Sequence, residues 1–317
     1  SKMIHKVKKP ILITGASGFI GSNIARYFIK NKIEIHLILK NKNNWRLKDI
    51  QRLANVHYCD LASKNKVNKL ISKIKPQTIF HLATHGSYSF QNNLDQIIKS
   101  NMVGTINLLY ACKKYGFTKF INTGSSSEYG FKKKTMSEND ILEPNSLYAV
   151  LKSFQSNFSV FEAHSNNLPI ITVRPFHIYG PYEDFRRFIP NLILNLLNNK
   201  LPNLADKNIC RDAIYIEDAV KFYLELAIKK NINGEIFNLG SGKKTKLIEI
   251  VRETQKIMNT NIKPKWNSMP NRSWDQYEWT ANMRKTKEII KFVPKISLEV
   301  GLKKTVDWFR DNYSLYK

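Results

Sequence analysis

A chain of 317 residues with 42% hydrophobic and 11% aromatic content can bury one large core or two joined ones, which excludes a disordered or fibrous protein. Its 51 Lys and Arg against 25 Asp and Glu leave a formal net charge of +26, but the lysines are spread along the whole length. No arginine-rich, aromatic-interleaved tract stands out, so the excess reads as solvated surface and neither nucleic acid nor membrane is expected as a partner.

The opening SKMIHKVKKPILITGASGFIG has a basic head and an apolar patch that breaks at glycines and runs into a periodic helix, so it reads as mature protein. Short apolar runs then recur at 11–14 (ILIT), 33–39 (IEIHLIL), 55–59 (NVHYC), 78–83 (TIFHLA), 119–124 (KFINTG) and 170–174 (IITVR). Amphipathic segments separate them: SNIARYFIKN, NKVNKLISKI, NMVGTINLLYACKKYG and SLYAVLKSFQSNFSVFEAH. This alternation predicts a doubly wound α/β domain of Rossmann type, a parallel sheet covered on both faces by helices. After residue 175 helical patterns dominate (RRFIPNLILNLLNNK, IEDAVKFYLELAIKK, TKLIEIVRETQKIM, LEVGLKKTVDWFRDNY), with short strands at 213–216 and 235–240 and a Pro- and Trp-bearing loop at 263–279. The expected organisation is a Rossmann domain over 1–175 and a smaller mixed α/β region over 176–317, some segments of which return to the first. A ligand is expected in the cleft between them, because such sheets bind outside the carboxyl ends of their strands. Cys59, Cys112 and Cys210 form no CxxC pair, so no disulfide framework or metal site is expected, and a reducing cytoplasm suits the chain. No apolar run approaches the roughly 18 residues of a membrane span.

In TGASGFIGSN, Gly15, Gly18 and Gly21 follow the first strand and open the first helix. Glycines there permit a sharp turn and let backbone N–H groups approach a pyrophosphate that the helix N-terminus stabilises. The spacing is GxxGxxG, and its place in the first strand-turn-helix points to a dinucleotide. About 20 residues on, where an acid would hold the ribose hydroxyls of NAD, the second strand ends in ILKNKNN. Lys40 and Lys42 stand there instead, and a cation suits a 2′-phosphate, so NADP(H) is favoured over NAD(H). Asp60, in CDLAS, either meets the adenine or caps the next helix.

SLYAVLKSF (146–154) sets Tyr148 and Lys152 one turn apart on one helix face, a pair that is usually packing. Taken with the glycine turn, HLAT (81–84), GSSSEYG (124–130), RPFHIYGP (174–181), RDAIYIEDAV (211–220) and FNLGSG (237–242), it looks different. In this order, and over nearly the whole length, the chain resembles the extended short-chain dehydrogenase/reductase family that acts on nucleotide sugars. The resemblance implies that Tyr148 is the catalytic acid/base, and that Lys152 lowers its pKa and holds the nicotinamide ribose. A ketone that receives hydride needs a proton donor within hydrogen-bond reach, and a phenol beside a cation fills that role. A serine donates to the carbonyl oxygen: Ser125 on ungapped counting back from Gly130, Ser126 if one residue is skipped. The cofactor would be lined by Gly15, Gly18, Phe19, Ile20, Gly21, Lys40, Lys42, Asp60, Leu61, Leu82, Ala83 and Thr84. Asn101, Thr123, Tyr148, Lys152, Pro175 and His177 would complete that lining. Phe176, Arg187, Arg211 and Arg272, with the two serines, would contact a nucleotide-diphosphate sugar, guanidinium being an efficient diphosphate ligand. Arg186 competes with Arg187, and Arg211 has Asp212 and Asp218 as alternative partners.

GSSSEYG is similar to the matching stretch of reductases acting on 4-keto-6-deoxyhexoses linked to nucleoside diphosphates. On ungapped counting, Ser126 and Ser127 take the places where family dehydratases carry an acid; on the gapped count Glu128 becomes that acid. NADPH use points to a net reductase in deoxysugar biosynthesis. A 4-epimerase is the second reading, a 4,6-dehydratase the third, and a catalytically silent dinucleotide sensor the alternative of another class. A homodimer through the helices around 94–115 and 147–165 is expected from the resemblance.

Overall fold

A computed structural model describes residues 3–42, 44–88, 90–132, 134–200, 202–269 and 278–316. Contacts divide the chain into two compact units. The first comprises Ser1–Gly130, Ile141–Pro175 and Val220–Phe237; the second comprises Phe131–Asp140, Phe176–Ala219 and Asn238–Lys317.

In the first unit β1 (Ile11–Thr14), α1 (Phe19–Lys30), β2 (His36–Leu39), β3 (Asn55–Tyr58), α2 (Lys64–Ile74) and β4 (Thr78–His81) alternate as expected. A short helix α3 (Leu94–Ile98), within the helical stretch expected around 94–115, precedes α4 (Gly104–Tyr115), β5 (Lys119–Thr123), α5 (Leu147–Ser165) and β6 (Ile170–Pro175). The strands join in the order β10-β6-β5-β4-β1-β2-β3, with β10 (Ile236–Leu239) at one edge and β3 at the other. Pairings from β3 through β6 are parallel, with Ile13 in register with Leu37 on one side and Phe80 on the other. β1, β4 and β5 are buried at every position, because helices cover both faces of a parallel sheet. Leu12, Ile79 and Phe120 meet Val67 and Ile71 of α2 and Leu108 and Leu109 of α4 in one core cluster.

The second unit holds α6 (Phe188–Leu197), α8 (Leu247–Met258) and α9 (Leu298–Asp311), with α7 (Ile216–Ile228) running across the boundary. Its strands are short: β7 (His177–Tyr179) pairs in parallel with β9 (Ala213–Tyr215), and β8 (Cys210–Arg211) lies between β11 (Thr245–Lys246) and β12 (Glu278–Trp279). The expected loop at 263–279 therefore ends in a strand, because Glu278 and Trp279 find a parallel partner in β8. Asp212 ties this unit together. Its buried carboxylate accepts from the Ser241 hydroxyl at 2.7 Å, the Gly242 amide at 2.9 Å and the Ala281 amide at 3.0 Å. Asp212→Ala strands these donors, and is expected to lower the unfolding free energy by about 3 kcal/mol, measured by urea denaturation.

Candidate active site

Two glycines shape the turn after β1. Gly15 has φ +67°, and a Cβ on it would collide with the Leu82–Ala83 backbone; one on Gly21 would collide with Gly15 and Ala16. The ends of β1 and β4 and the start of α1 therefore meet backbone to backbone. Gly18 caps α1, which opens with Phe19 and Ile20, without a side-chain cap bond. This is a cradle that a Cβ would fill, at a helix N-terminus with its partial positive charge, and it fits a pyrophosphate.

The segment after β4 is held from beneath. His81, fully buried, meets Thr14 Oγ1 at 2.7 Å and Thr105 Oγ1 at 2.8 Å. Burial, and then the charge of Lys152, push its pKa down to about 3, so the ring is neutral. Asn101 is also fully buried. Its amide oxygen accepts from the Thr84 hydroxyl at 3.2 Å and the His85 amide at 2.9 Å, and its nitrogen donates to the His85 carbonyl at 2.8 Å. Asn101 thus shapes the 84–85 backbone. The Leu61 carbonyl accepts from Asn107 at 2.8 Å. Asp60 accepts from the Ala62 amide at 3.0 Å and pairs with Lys40 at 3.0 Å. Burial alone would raise the Asp60 carboxyl, but the amide and the ammonium outweigh it and hold it below the usual range. Lys42 lies 6.0 Å from the Tyr58 ring centroid. A cation that reaches the glycine turn is Arg46, whose Nη1 donates to the Ser17 carbonyl at 3.3 Å.

Ser125 caps the turn Ser126–Tyr129. Its Oγ accepts from the Ser127 amide at 3.1 Å and the Ser127 hydroxyl at 2.7 Å. Ser125 and Ser127 are half-buried, whereas Ser126 is 8% exposed. Glu128 is fully buried: it accepts from the Ser125 amide, the Ser156 hydroxyl and Arg174 Nε, each at 2.8 Å. Its carboxylate is engaged on three sides, by the serine turn, α5 and β6.

Tyr148 is half-buried at the second position of α5, whose cap, Ser146, accepts from the Ala149 amide at 3.1 Å. Lys152, one turn on, is 1% exposed, with Nζ 5.9 Å from the Tyr148 ring centroid. It donates to the Thr123 carbonyl at 2.8 Å and to Gln155 at 3.2 Å, and Gln155 donates to Asn122 at 2.6 Å. Burial lowers the Lys152 pKa to about 8, with Glu128 pulling the other way. Thr123 Oγ1 meets the Tyr223 hydroxyl at 3.0 Å. The end of β5, the serine turn and the first turns of α5 thus form one hydrogen-bonded group around Lys152.

In the second unit Phe176 is buried and its amide donates to Leu239 at 2.8 Å. Burial, then the charges of Arg211 and Arg187, take His177 down to about 3. Its neutral ring sits 4.0 Å from Glu183, a polar contact and no ion pair. Arg186 is fixed on Asp184 by two bonds of 2.8 and 2.7 Å, while Arg187 is exposed at the N-cap of α6. Asp212 and Asp218, the alternative partners of Arg211, accept backbone amides from Gly242 and Ala281 and from Lys295 and Ile296. Arg272 lies outside the described residues. Two residues were not singled out from the sequence, Tyr223 and Arg46, and neither carried a signal there; Ser127 was read only as standing where dehydratases carry an acid.

A Rossmann-like sheet, a glycine turn at the first helix and a Tyr and Lys pair beside a serine turn define a class of nucleotide-cofactor enzymes. Residues 11–240 match the NAD dependent epimerase/dehydratase family, and the chain belongs to it. It is 30% identical over 324 residues to an uncharacterized protein of Methanocaldococcus jannaschii, covering 96% of this chain and 97% of that one. It is 29% identical over 320 residues to a trifunctional UDP-glucose 4,6-dehydratase/UDP-4-keto-6-deoxy-D-glucose 3,5-epimerase/UDP-4-keto-L-rhamnose-reductase of Arabidopsis thaliana. That match covers 96% of this chain but 47% of the plant enzyme, so the chain spans about half its length. Among solved structures, the UDP-glucose 4-epimerase of Thermotoga maritima with UDP-glucose superposes with a TM-score of 0.88 at 27% identity, covering 96% of this chain and 99% of that one. The UDP-glucuronic acid 4-epimerase of Bacillus cereus, in complex with UDP-glucuronic acid and NAD, gives 0.84 at 26% identity, covering 96% and 99%.

Lys152 binds fewer protons folded than unfolded between about pH 8 and 10.5, so its contribution to stability rises with pH across that window. Relative to Lys152→Met, the wild type is expected to gain about 3 kcal/mol of unfolding free energy over this range, followed by denaturation at each pH. A pH-independent difference would mean that the ammonium is not desolvated.

Proposed function

We propose that this chain is an NADP(H)-using reductase of the 4-keto group of a nucleoside-diphosphate 4-keto-6-deoxyhexose. The observation that carries this reading is the serine turn. It presents the hydroxyls of Ser125 and Ser127, while its one carboxylate, Glu128, is buried against Arg174. Removing water from a sugar calls for an acid and a base beside the ring; delivering one proton to a reduced carbonyl calls for hydroxyl donors, which this turn and Tyr148 supply. Lys40 at the end of β2, in the place of an acid, favours a cofactor with a 2′-phosphate.

A bound nicotinamide dinucleotide supplies the hydride, and in this reading the glycine turn, Asp60, Leu61, Leu82, Ala83, Thr84, Thr123 and Lys152 hold it. Ser125, with its oxygen accepting twice from Ser127, directs its own O–H at the substrate carbonyl. Tyr148 gives its proton to that oxygen as the negative charge develops and regains one from solvent. Lys152 keeps a positive charge beside the phenol at neutral pH. Arg187 and Arg211 are the diphosphate ligands of the second unit, which also carries His177 and Phe176. α4 and α5 leave Tyr110, Leu147, Val150 and Phe161 exposed, an apolar stripe suited to a second copy of the chain.

A 4-epimerase that retains its cofactor is the second reading, favoured by the similarity to two 4-epimerase structures. Tyr148→Phe tests the chemistry. NADPH-dependent turnover of 4-keto-6-deoxy sugar nucleotides is expected to fall by about 10²–10⁴-fold, with NADPH binding retained. A variant of undiminished kcat would remove Tyr148 from proton transfer.

A further inference from the structure

Tyr182 has a left-handed backbone, with φ +71°, which a bulky residue rarely adopts. Such a conformation persists only where the surroundings fix it, and residues of this kind gather at ligand clamps. Here the surroundings are aromatic. The Tyr182 ring lies 4.6 Å from that of Trp308 on α9, and Trp308 and Phe309 both pack on Tyr316, with centroids 6.0 and 4.9 Å apart. The single turn Tyr313–Tyr316, which follows α9, reaches both ends of one segment. The Tyr316 hydroxyl donates to the Glu183 carbonyl at 2.8 Å, ahead of α6, and the Tyr313 hydroxyl donates to Asn198 Oδ1 at 2.6 Å, at the C-cap of α6. Between Glu183 and α6 the chain is tightly bonded. The Arg187 amide donates to the Asp184 carbonyl at 3.0 Å, and the buried Asp184 carboxylate holds both the amide and the guanidinium of Arg186. What Tyr316 fixes is therefore backbone, and four residues further on that backbone carries Arg187.

We propose that Trp308 and Tyr316 are positioning residues for the nucleotide sugar: they hold Tyr182 in its left-handed conformation and so set the place of Arg187 at the N-cap of α6. The inference rests on the nucleotide-sugar reading, in which Arg187 is a diphosphate ligand, and adds what aims it. A long exposed arginine gives up side-chain freedom when it grips an anion, so a backbone that is already fixed leaves less to be lost on binding. The clasp and the segment it holds both belong to the second unit, whereas the glycine turn belongs to the first. Its effect is therefore expected on the sugar nucleotide and not on the dinucleotide.

The test is equilibrium binding and steady-state kinetics with the full chain. UDP, dTDP, GDP and CDP are titrated first; the tightest of them serves as the probe, beside its monophosphate, and NADPH is followed by fluorescence. Tyr316→Phe keeps the ring and removes one hydrogen bond. It is expected to weaken the nucleoside diphosphate and to raise KM for the sugar nucleotide by about 3–10-fold, with kcat and NADPH affinity within about twofold. The monophosphate should lose less than the diphosphate, Trp308→Ala should cost more than Tyr316→Phe, and Trp308→Phe should restore part of that loss. In a Tyr182→Gly background, where glycine takes this φ without strain, Tyr316→Phe should cost less than it does in the wild type. Thermal melting establishes that each variant is folded, and if Trp308→Ala is not, Trp308→Phe and Tyr316→Phe carry the comparison. Equal losses for NADPH and the nucleoside diphosphate, or a lowered melting temperature with unchanged KM, would make the clasp a general support and overturn the proposal. A wild type that binds none of the four nucleoside diphosphates would instead overturn the nucleotide-sugar reading on which it rests.

Discussion

The buried carboxylate of Glu128 is the interaction on which the candidate catalytic group depends. A charge removed from water must be paired, and here one carboxylate joins three elements: the serine turn through the Ser125 amide, α5 through Ser156 and β6 through Arg174. Gly124 makes this possible, since a Cβ there would occupy the space of Glu128 Oε1 and lie 2.8 Å from Ser156 Oγ. Ser156 is one helical turn beyond Lys152, and Lys152 one turn beyond Tyr148. A fixed Ser156 therefore sets the rotation and height of α5, and with them the phenol and the ammonium.

That arrangement sorts the polar groups by task. Glu128, Arg174, Asn122 and Gln155 satisfy one another or the backbone inside the first unit, so they hold geometry. Ser125, Ser127 and Tyr148 are half-buried, and in the proposed reading they are the groups that meet the substrate. Lys152 belongs to both sets. It is held by Thr123 and Gln155, and burial brings its pKa close enough to neutrality for it to respond to a neighbouring charge.

Much of the first unit was legible in the sequence because its strands are buried on both faces and read as unbroken apolar runs, as ILIT does for β1. The glycine turn was legible for a similar reason: Gly15 and Gly21 stand where no Cβ fits. The two- and three-residue strands β7, β8, β11 and β12 were not, because pairing partners far apart in the chain define them and no period of their own does. In the site, helical spacing put Tyr148 and Lys152 on one face, but only the family resemblance gave the pair a role. The partner of Glu128 was not, since Arg174 lies 46 residues away and only the parallel packing of β5 and β6 brings the two together. Arg46 was hidden in the same way, 29 residues from the Ser17 carbonyl it meets.

The most direct measurement of the proposed chemistry is stoichiometry: the purified chain, a nucleoside-diphosphate 4-keto-6-deoxyhexose and NADPH, with cofactor absorbance and the sugar product followed together. One NADPH oxidised for each 4-keto group converted to alcohol is the predicted result. An epimerised or dehydrated sugar nucleotide, formed with no net loss of NADPH, would contradict it.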